Sequence, residues 1–160
     1  MTVAAILVAA GRGIRMGTGR PKAFLRVGGE TILGRSLRAF ASHPRVGRIV
    51  VAVADPGEAE RLLGPAAARA VLVRGGEERQ DSVRRALEAL EPEGADIILV
   101  HDAARPLVSR AIIDAVIAAA GEHGAAVPVI APSDTVKRLA GDGTVEATVP
   151  WKVLRASSGV

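Results

Sequence analysis

The stretch from Val3 to Lys22 narrows the possible folds of this chain more than any other part of the sequence. An uninterrupted apolar run, Val3–Val8, leads directly into a loop that contains four glycines and four cationic side chains, in the string VAAILVAAGRGIRMGTGRPK. A short apolar run without a polar face is typical of a strand that is buried on both faces of a parallel sheet. Glycines after such a strand let backbone N–H groups approach an anion. The stretch therefore predicts a buried strand followed by a candidate phosphate-binding loop.

The glycine loop does not match either of two common nucleotide-binding motifs. A Walker A loop would place Gly-Lys-Ser/Thr after Gly11 at a fixed spacing, and that triplet is absent. A dinucleotide fingerprint would have a third glycine where Met16 stands, and its helix would begin where the chain continues to Pro21. The residues alone therefore leave two interpretations open: a phosphate-binding loop, or an exposed loop with solvated arginines.

Short apolar runs alternate with helical patterns through most of the chain, which favours a mainly parallel α/β sheet with right-handed crossovers. Two further extended segments, Thr135–Leu139 and Thr144–Val149, flank the turn sequence Gly-Asp-Gly and predict a hairpin. The predicted strands are Val3–Val8, Ile49–Ala54, Ala70–Val73, Ile97–Val100 and Ala125–Ile130. Four helices are predicted: one after a Thr31 cap, one from Asp55-Pro56 to Leu63, one from Ser82 to Leu90 that Gln80 or Asp81 starts, and one from a Ser109 cap to Ala120 that Gly121 and Gly124 end.

Length and composition indicate a single globular domain, residues 1–160. Hydrophobic residues make up 49% of the chain, and no apolar run approaches the length of a membrane span. Cysteine is absent, which excludes disulfides and favours a cytoplasmic location. The net charge of +4 comes from scattered arginines, and aromatics are only 2% of the residues, so small anionic substrates are favoured over nucleic acid.

Three segments rich in polar and glycine residues follow predicted strands: Ala9–Lys22, Gly75–Ser82 and His101–Pro106. Because the carboxyl ends of parallel strands meet at one edge of a sheet, we expect these segments to form one composite site there. The second segment is either an ordinary helix-capping loop or a base and ribose recognition loop. The third holds either an exposed Asp102–Arg105 ion pair or a substrate site, in which Asp102 orients hydroxyls and Arg105 binds a phosphate.

The strings AAGxGxRM…PK, GGxERxDSV and VHDAARP, in this order from about Val3 to Val149, resemble the 2-C-methyl-D-erythritol 4-phosphate cytidylyltransferases. The resemblance implies a Rossmann-like, three-layer α/β fold with a protruding β-arm at about residues 132–149. It also implies transfer of CMP from CTP to methylerythritol phosphate, Mg²⁺ carried mainly by the triphosphate, and a homodimer formed through the arm. The residues that it assigns are Arg15 and Lys22 for catalysis; Ala9, Ala10, Gly11, Gly13, Gly76, Glu77, Ser82 and Ala103 for the nucleotide; and Asp102, Arg105 and Thr135 for the sugar-alcohol phosphate, with Thr135 serving the partner's site.

The sequence departs from this family pattern in three places. Glu77 stands where an aspartate is common, Trp151 stands where an arginine is expected, and residues 150–160 do not follow the family's pattern. The chain is also about a third shorter than the usual family member, although within single-domain size. Three alternatives stay open: a pentitol-phosphate (ribitol 5-phosphate) cytidylyltransferase, a nucleotide-binding protein without activity, and a Rossmann-type dehydrogenase.

Overall fold

Four parallel strands form the central sheet of the computed structural model, which describes residues 1–11, 21–91, 94–150, 154 and 156–157. The strand order is β5-β4-β1-β6. The elements are β1 (Val3–Ala9), β2 (Arg26–Val27), β3 (Glu30–Thr31), α1 (Ile32–Ala41), β4 (Val46–Val53), α2 (Pro56–Leu63), β5 (Val71–Arg74), α3 (Arg79–Leu90), β6 (Ile97–Asp102), α4 (Arg110–His123), β7 (Val129–Ile130), β8 (Lys137–Leu139), β9 (Val145–Thr148) and β10 (Ala156–Ser157), with 3₁₀ turns at Lys22–Phe24 and Gly64–Arg69.

Strand β1 is the centre of the sheet, as its apolar sequence predicts. It pairs in parallel with β4 on one edge and with β6 on the other, so that Ile6 lies between Val50 and Val100. Ala5, Ile6 and Leu7 are completely buried. Both faces of β1 are covered because helices pack on each side of the sheet.

Helices on the two faces of the sheet produce the predicted three-layer arrangement. Helix α3 packs Ala86 and Leu90 against the even-numbered residues of β1. Helices α1, α2 and α4 pack on the opposite face, where Leu37, Ala59 and Ile117 join the larger apolar core. The chain passes from β1 through β4 to β5 on one side, and then returns to place β6 on the other side of β1. This reversal creates a crevice at the carboxyl ends of β1 and β6, which is the usual ligand position in such sheets.

The predicted helix caps at Thr31, Asp55 and Ser109 are confirmed, and the Ser109 hydroxyl accepts a hydrogen bond from the Ile112 N–H at 3.3 Å. Thr31 is the N-cap of α1, and its hydroxyl oxygen accepts a hydrogen bond from the Gly34 N–H at 2.9 Å. Asp55 is the N-cap of α2 and accepts from the Glu58 N–H at 3.1 Å, with Pro56 as the first helical residue. All three signals are local, because an oxygen at the N-cap satisfies an N–H of the first helical turn.

Two helix boundaries differ from the sequence prediction. Helix α3 begins at Arg79, and Glu78, not Gln80, Asp81 or Ser82, is its N-cap; Asp81 is the third helical residue of a capping box and accepts from the Glu78 N–H. Glu78 and Asp81 are both acidic, so either one alone could be read as the N-cap. In a capping box the third helical residue bonds back to the N-cap, which makes Glu78 the cap and Arg79 the first helical residue. Helix α4 continues through Gly121 to His123, because Gly124, and not Gly121, has the left-handed backbone that ends this helix, at φ 82°.

The predicted fifth strand, Ala125–Ile130, is wrong in its length and its partner. Only Val129–Ile130 forms a strand, and it pairs antiparallel with β10 outside the central sheet. The apolar sequence is compatible with an extended backbone, but it does not specify a partner strand, and Pro128 has no N–H for a ladder. Within the described residues, β6 therefore pairs only with β1, and Ile98 and Val100 on β6 are 37% and 44% exposed.

Strands β8 and β9 form the predicted hairpin, somewhat shorter than the sequence indicated. Asp142 shapes its turn: a carboxylate oxygen accepts from the Thr144 N–H at 2.9 Å and from the Thr144 hydroxyl at 2.7 Å. Gly143 has φ 86°, which favours glycine. All seven residues of the two strands are exposed, so the hairpin stands away from the apolar core as the predicted arm. In the described ranges, no helix combines the length and the apolarity that crossing a membrane would require.

We predict that Thr31→Ala lowers the free energy of unfolding by about 1 kcal/mol, because it removes the acceptor for the Gly34 N–H at a buried cap. Thr31→Ser keeps the hydroxyl and is the matched control. Urea unfolding followed by circular dichroism measures both. Equal losses in the two variants would contradict the assignment of the capping bond.

Candidate active site

The crevice between β1 and β6 brings the first and third polar segments together. Strand β1 ends at Ala9 and is followed by Ala10 and Gly11, and strand β6 is followed by Ala103. The Ala103 N–H donates to the Val8 carbonyl at 3.0 Å and so extends the pairing of the two strands by one residue. Ala103 is completely buried. The main chain of one strand therefore holds the third segment against the first.

The second segment also reaches the end of β1, through Gly75. The Gly75 N–H donates to the Val53 carbonyl at 2.8 Å, which ties the loop to β4. A Cβ on Gly75 would overlap the Ala10 methyl group and lie 2.8 Å from Ser82 Oγ. Glycine is required here by this close approach, since the loop touches the first segment where a side chain would stand.

Ser82 closes the second loop upon itself. Its side chain is 1% exposed; Oγ accepts a hydrogen bond from the Gly76 N–H at 3.0 Å and donates to the Glu78 carbonyl at 3.3 Å. The hydroxyl thus fixes the Gly75–Gly76 backbone beside Ala10. Glu77 is exposed at the tip of the same loop. Direct nucleotide contacts of Gly76, Glu77 and Ser82 stay predictions.

Asp102 lies between two guanidinium groups at the end of β6. Arg79 Nε and Nη2 donate to one carboxylate oxygen at 3.1 and 3.0 Å, and Arg105 Nε lies 3.3 Å from the other oxygen. These groups are partly exposed, so the ion pairs contribute little to stability. Their importance is geometric, because Arg79 begins α3 in the second segment and so links it to the third.

Arg79 is a member of the site that the sequence did not predict. The family resemblance assigns Asp102 and Arg105 to the substrate and includes Arg79 only within the GGxERxDSV string. A usable signal was its position at the start of α3, because a helix that follows a parallel strand begins at the carboxyl edge of the sheet. The predicted Asp102–Arg105 pair is present in the structure, and Arg79 adds a second cation on the opposite side of the carboxylate.

The predicted catalytic cations are only partly within the described structure. Lys22 is exposed at the start of a 3₁₀ turn whose next residues, Ala23 and Phe24, are buried and anchor it to the core. Arg15 and Gly13 lie outside the described residues. Thr135 is exposed before the first arm strand.

A cavity of about 730 Å³ begins at Arg79, Asp102 and Arg105. It continues along β6 and α4 toward residues 124–128, where Leu99, Ile113 and other apolar side chains line it. Thr135 is not among the lining residues. The volume lies in the range of small-ligand sites. The end at Arg79, Asp102 and Arg105 is polar, which suits a ligand that bears both hydroxyls and phosphate, and Met1 and Asp96 also line the cavity.

His101 supports the turn that carries these groups. Its side chain is 6% exposed, Nε2 lies 3.0 Å from the Arg105 carbonyl oxygen, and its ring packs against Phe40. Because a carbonyl only accepts, Nε2 carries the proton of the neutral ring. Burial lowers the pKa of His101 below its ordinary value of 6.5, although the hydrogen bond to Arg105 and the charge of Asp102 act in the opposite direction.

The described residues do not form a metal site of their own. No three His, Asp or Glu side chains in the described ranges are grouped closely enough to hold an ion. The carboxylate of Asp102 faces arginines on both oxygens. A divalent cation that binds mainly phosphate and water oxygens needs no such protein cage.

The parallel sheet with helices on both faces and the glycine loops at its carboxyl edge define a Rossmann-like α/β protein with a composite candidate site at that edge. Comparison with known proteins gives the family. The family profile described as 2-C-methyl-D-erythritol 4-phosphate cytidylyltransferase matches residues 3–158, so the chain belongs to that family. The match includes most of residues 150–160, where the motif pattern departs.

Individual relatives agree with this membership. A bifunctional enzyme IspD/IspF of Bradyrhizobium sp. strain BTAi1 is 46% identical over 154 residues, which are 95% of this chain and 39% of that protein. The crystal structure of 2-C-methyl-D-erythritol 4-phosphate cytidylyltransferase from Thermus thermophilus matches with a TM-score of 0.71 and 38% identity, covering 98% of this chain and 67% of that one. The 4-diphosphocytidyl-2C-methyl-D-erythritol synthase of Anaerococcus prevotii matches with a TM-score of 0.83 and 25% identity, covering 97% and 66%. The chain thus spans well under half the length of the curated relatives that it matches.

The depressed pKa of His101 predicts a pH-dependent stability. At pH values between the folded pKa of His101 and 6.5, the unfolded state binds more protons than the folded state. The free energy of unfolding therefore decreases as the pH falls below about 6.5. Above that pH, titration of His101 does not change the free energy of unfolding. Urea unfolding at about pH 7.5 and about pH 5.5 measures the loss. His101→Gln, which keeps an N–H donor, should reduce the difference between the two pH values.

His123→Gln is the matched control, because the side chain of His123 is 65% exposed. It should change the difference between the two pH values less than His101→Gln does. An identical pH dependence in wild type and His101→Gln would contradict the role of His101.

Proposed function

We propose that this chain transfers CMP from CTP to 2-C-methyl-D-erythritol 4-phosphate, as an enzyme of non-mevalonate isoprenoid biosynthesis. The family match over residues 3–158 carries this proposal. The convergence of three predicted motif segments on one crevice supports it. In the reaction, a phosphate oxygen of methylerythritol phosphate attacks the α-phosphorus of CTP. The bond from that phosphorus to the bridging oxygen breaks, and pyrophosphate leaves with the electron pair.

Such a transfer depends on positioning and on neutralisation of phosphate charge rather than on covalent catalysis. We assign the triphosphate to the loop after β1, with Lys22 and Arg15 stabilising charge on the α-phosphate. The base and ribose are assigned to Gly76 and Glu77, in the loop that Ser82 closes, and to Ala103, in the turn after β6. Gly75 and Ala10 are in contact there, so the two loops can hold one nucleotide between them.

The sugar-alcohol phosphate is assigned to the polar end of the cavity. Asp102 would accept hydrogen bonds from the substrate hydroxyls, and Arg105 would bind the phosphate. Arg79 approaches Asp102 from the other side, and it is positioned either to orient the carboxylate or to pair with an entering phosphate. Ribitol 5-phosphate has the same chemistry at its hydroxyls and phosphate, so a pentitol-phosphate cytidylyltransferase is the second candidate.

Mg²⁺ is proposed to enter with CTP, held by triphosphate oxygens and water. When bound, it would neutralise part of the triphosphate charge. The absence of cysteine is compatible with a reducing compartment, and we propose a cytoplasmic location.

We also propose a homodimer formed through the arm, residues 132–149. Leu139 and Val145 are paired across the hairpin and are 59% and 60% exposed. Two adjacent apolar side chains on an exposed hairpin provide a surface that a second copy can cover. In that arrangement Thr135 would reach the partner's substrate.

Pyrophosphate release in the presence of CTP, Mg²⁺ and methylerythritol phosphate tests the activity. Lys22→Ala should lower kcat by about 10²–10³-fold, because it removes a cation from the site of developing charge. Arg84→Ala is the matched control, since Arg84 is an exposed cation on α3 that pairs with Glu88 at 2.9 Å. It should retain wild-type turnover.

Three results separate the candidates. Faster turnover of ribitol 5-phosphate would favour the pentitol-phosphate enzyme. CTP binding in calorimetry without product would indicate a nucleotide-binding protein without activity. If the chain neither binds CTP nor releases pyrophosphate, the proposed function is overturned.

Sedimentation equilibrium at micromolar concentration tests the dimer. We expect a dimer for the wild type and at least roughly ten-fold weaker association for Leu139→Glu, which would bury a charge in the interface. Val27→Glu, at a 53% exposed apolar position outside the arm, is the control and should not change association. A wild-type monomer, or equal weakening by both variants, would contradict the arm as the interface.

A further inference from the structure

Ser36 is a buried polar residue outside all three motif segments. It lies on α1 and is completely buried, among apolar residues such as Leu33, Leu37 and Phe40 of the same helix. Its hydroxyl donates to the Ala103 carbonyl at 2.9 Å, across 67 residues of sequence. A serine in a helix often bonds to a carbonyl of its own helix. Here the bond instead connects the helix layer to the turn after β6.

That turn is fixed at three points. The Ala103 N–H donates to Val8, the Ala103 carbonyl accepts from Ser36, and the Arg105 carbonyl is 3.0 Å from His101 Nε2. The Arg105 N–H also donates to the Asp102 carbonyl at 3.0 Å, which closes the turn. Between Asp102 and Arg105, the groups assigned to the substrate, lies Ala103, whose two main-chain polar groups are both engaged.

The Ser36 bond fixes the Ala103 carbonyl, which the hydrogen bonds between β1 and β6 do not hold. The Val8 bond continues the β1–β6 pairing, so it fixes Ala103 within the plane of the sheet. The Ser36 hydroxyl approaches from the helix layer, so it fixes the Ala103 carbonyl relative to the core. Without it, that buried carbonyl must find another partner or shift toward water. Either change would move the Asp102 and Arg105 side chains together.

We infer that Ser36 is a positioning residue of the active site: through the Ala103 carbonyl it sets the place of the Asp102–Arg105 turn. The effect on the turn depends only on the structure, whereas the effect on substrate rests on the proposed function. A displacement of about 1 Å in a site that works by positioning reduces activity by up to roughly 10²-fold. A residue remote from the chemistry can therefore determine substrate affinity.

Amide hydrogen exchange in the full chain, followed by NMR well below the unfolding transition, tests the effect on the turn. In Ser36→Ala the Arg105 amide should exchange roughly ten-fold faster than in wild type, relative to the Ile6 amide in the central strand. Ser42→Ala is the matched control: Ser42 follows the same helix, is exposed, and bonds to the nearby Ala39 carbonyl at 3.3 Å. It should leave the Arg105 amide unchanged. Unchanged relative exchange in Ser36→Ala would overturn the inference.

Substrate kinetics test the second part. At the same temperature, Ser36→Ala should raise the KM for methylerythritol phosphate roughly ten-fold, with a smaller change in kcat, while Ser42→Ala matches wild type. If Ser36→Ala speeds exchange of the Arg105 amide but leaves the KM unchanged, Ser36 has only a structural role and the inference that it positions the substrate groups is overturned. If the wild type neither binds CTP nor turns over, the proposed function fails, and the exchange measurement still decides whether Ser36 fixes the turn.

Discussion

The pairing of β1 on both of its edges is the constraint on which the site depends. Because β4 and β6 pair with opposite edges of the same buried strand and β5 pairs with β4, the segments that follow β1, β5 and β6 meet at the carboxyl edge of the sheet. Ala103 is joined to β1 through the Val8 carbonyl, and Gly75 is joined to β4 through the Val53 carbonyl. Main-chain hydrogen bonds thus join the site segments to the sheet, and side-chain hydrogen bonds add to them.

The side chains of the site divide into buried supports and exposed working groups. Ser36, Ser82 and His101 are nearly inaccessible, and each binds a main-chain group of a site loop. Arg79, Asp102 and Arg105 are partly exposed and bind one another. Buried hydrogen bonds are costly to break, whereas exposed ion pairs exchange readily with a charged ligand. This division suits a site in which the backbone stays fixed while arginines and a carboxylate change partners.

Most features with local causes were predictable from the sequence, the start of α3 being an exception, and features with distant partners were mostly not. The apolar run of β1 and the caps at Thr31 and Asp55 depend on residues close in the chain, and all three are confirmed. The proposed strand Ala125–Ile130 failed because its partner is determined far along the chain. Ser36 and Arg79 were missed for the same reason, since their bonds span 67 and 23 residues. Motif order indicated a composite site, but not which residues hold it together.

Binding of one nucleotide by all three segments at the end of β1 is the hypothesis on which the proposed function depends. An NMR titration of the isotopically labelled chain with CTP tests it directly. We expect the amides of Ala10, Gly76 and Ala103 to shift together and to saturate with one dissociation constant. Three outcomes would contradict the hypothesis: shifts confined to a single segment, different dissociation constants for the three amides, or changes located in α4 or the arm while these three amides stay unperturbed.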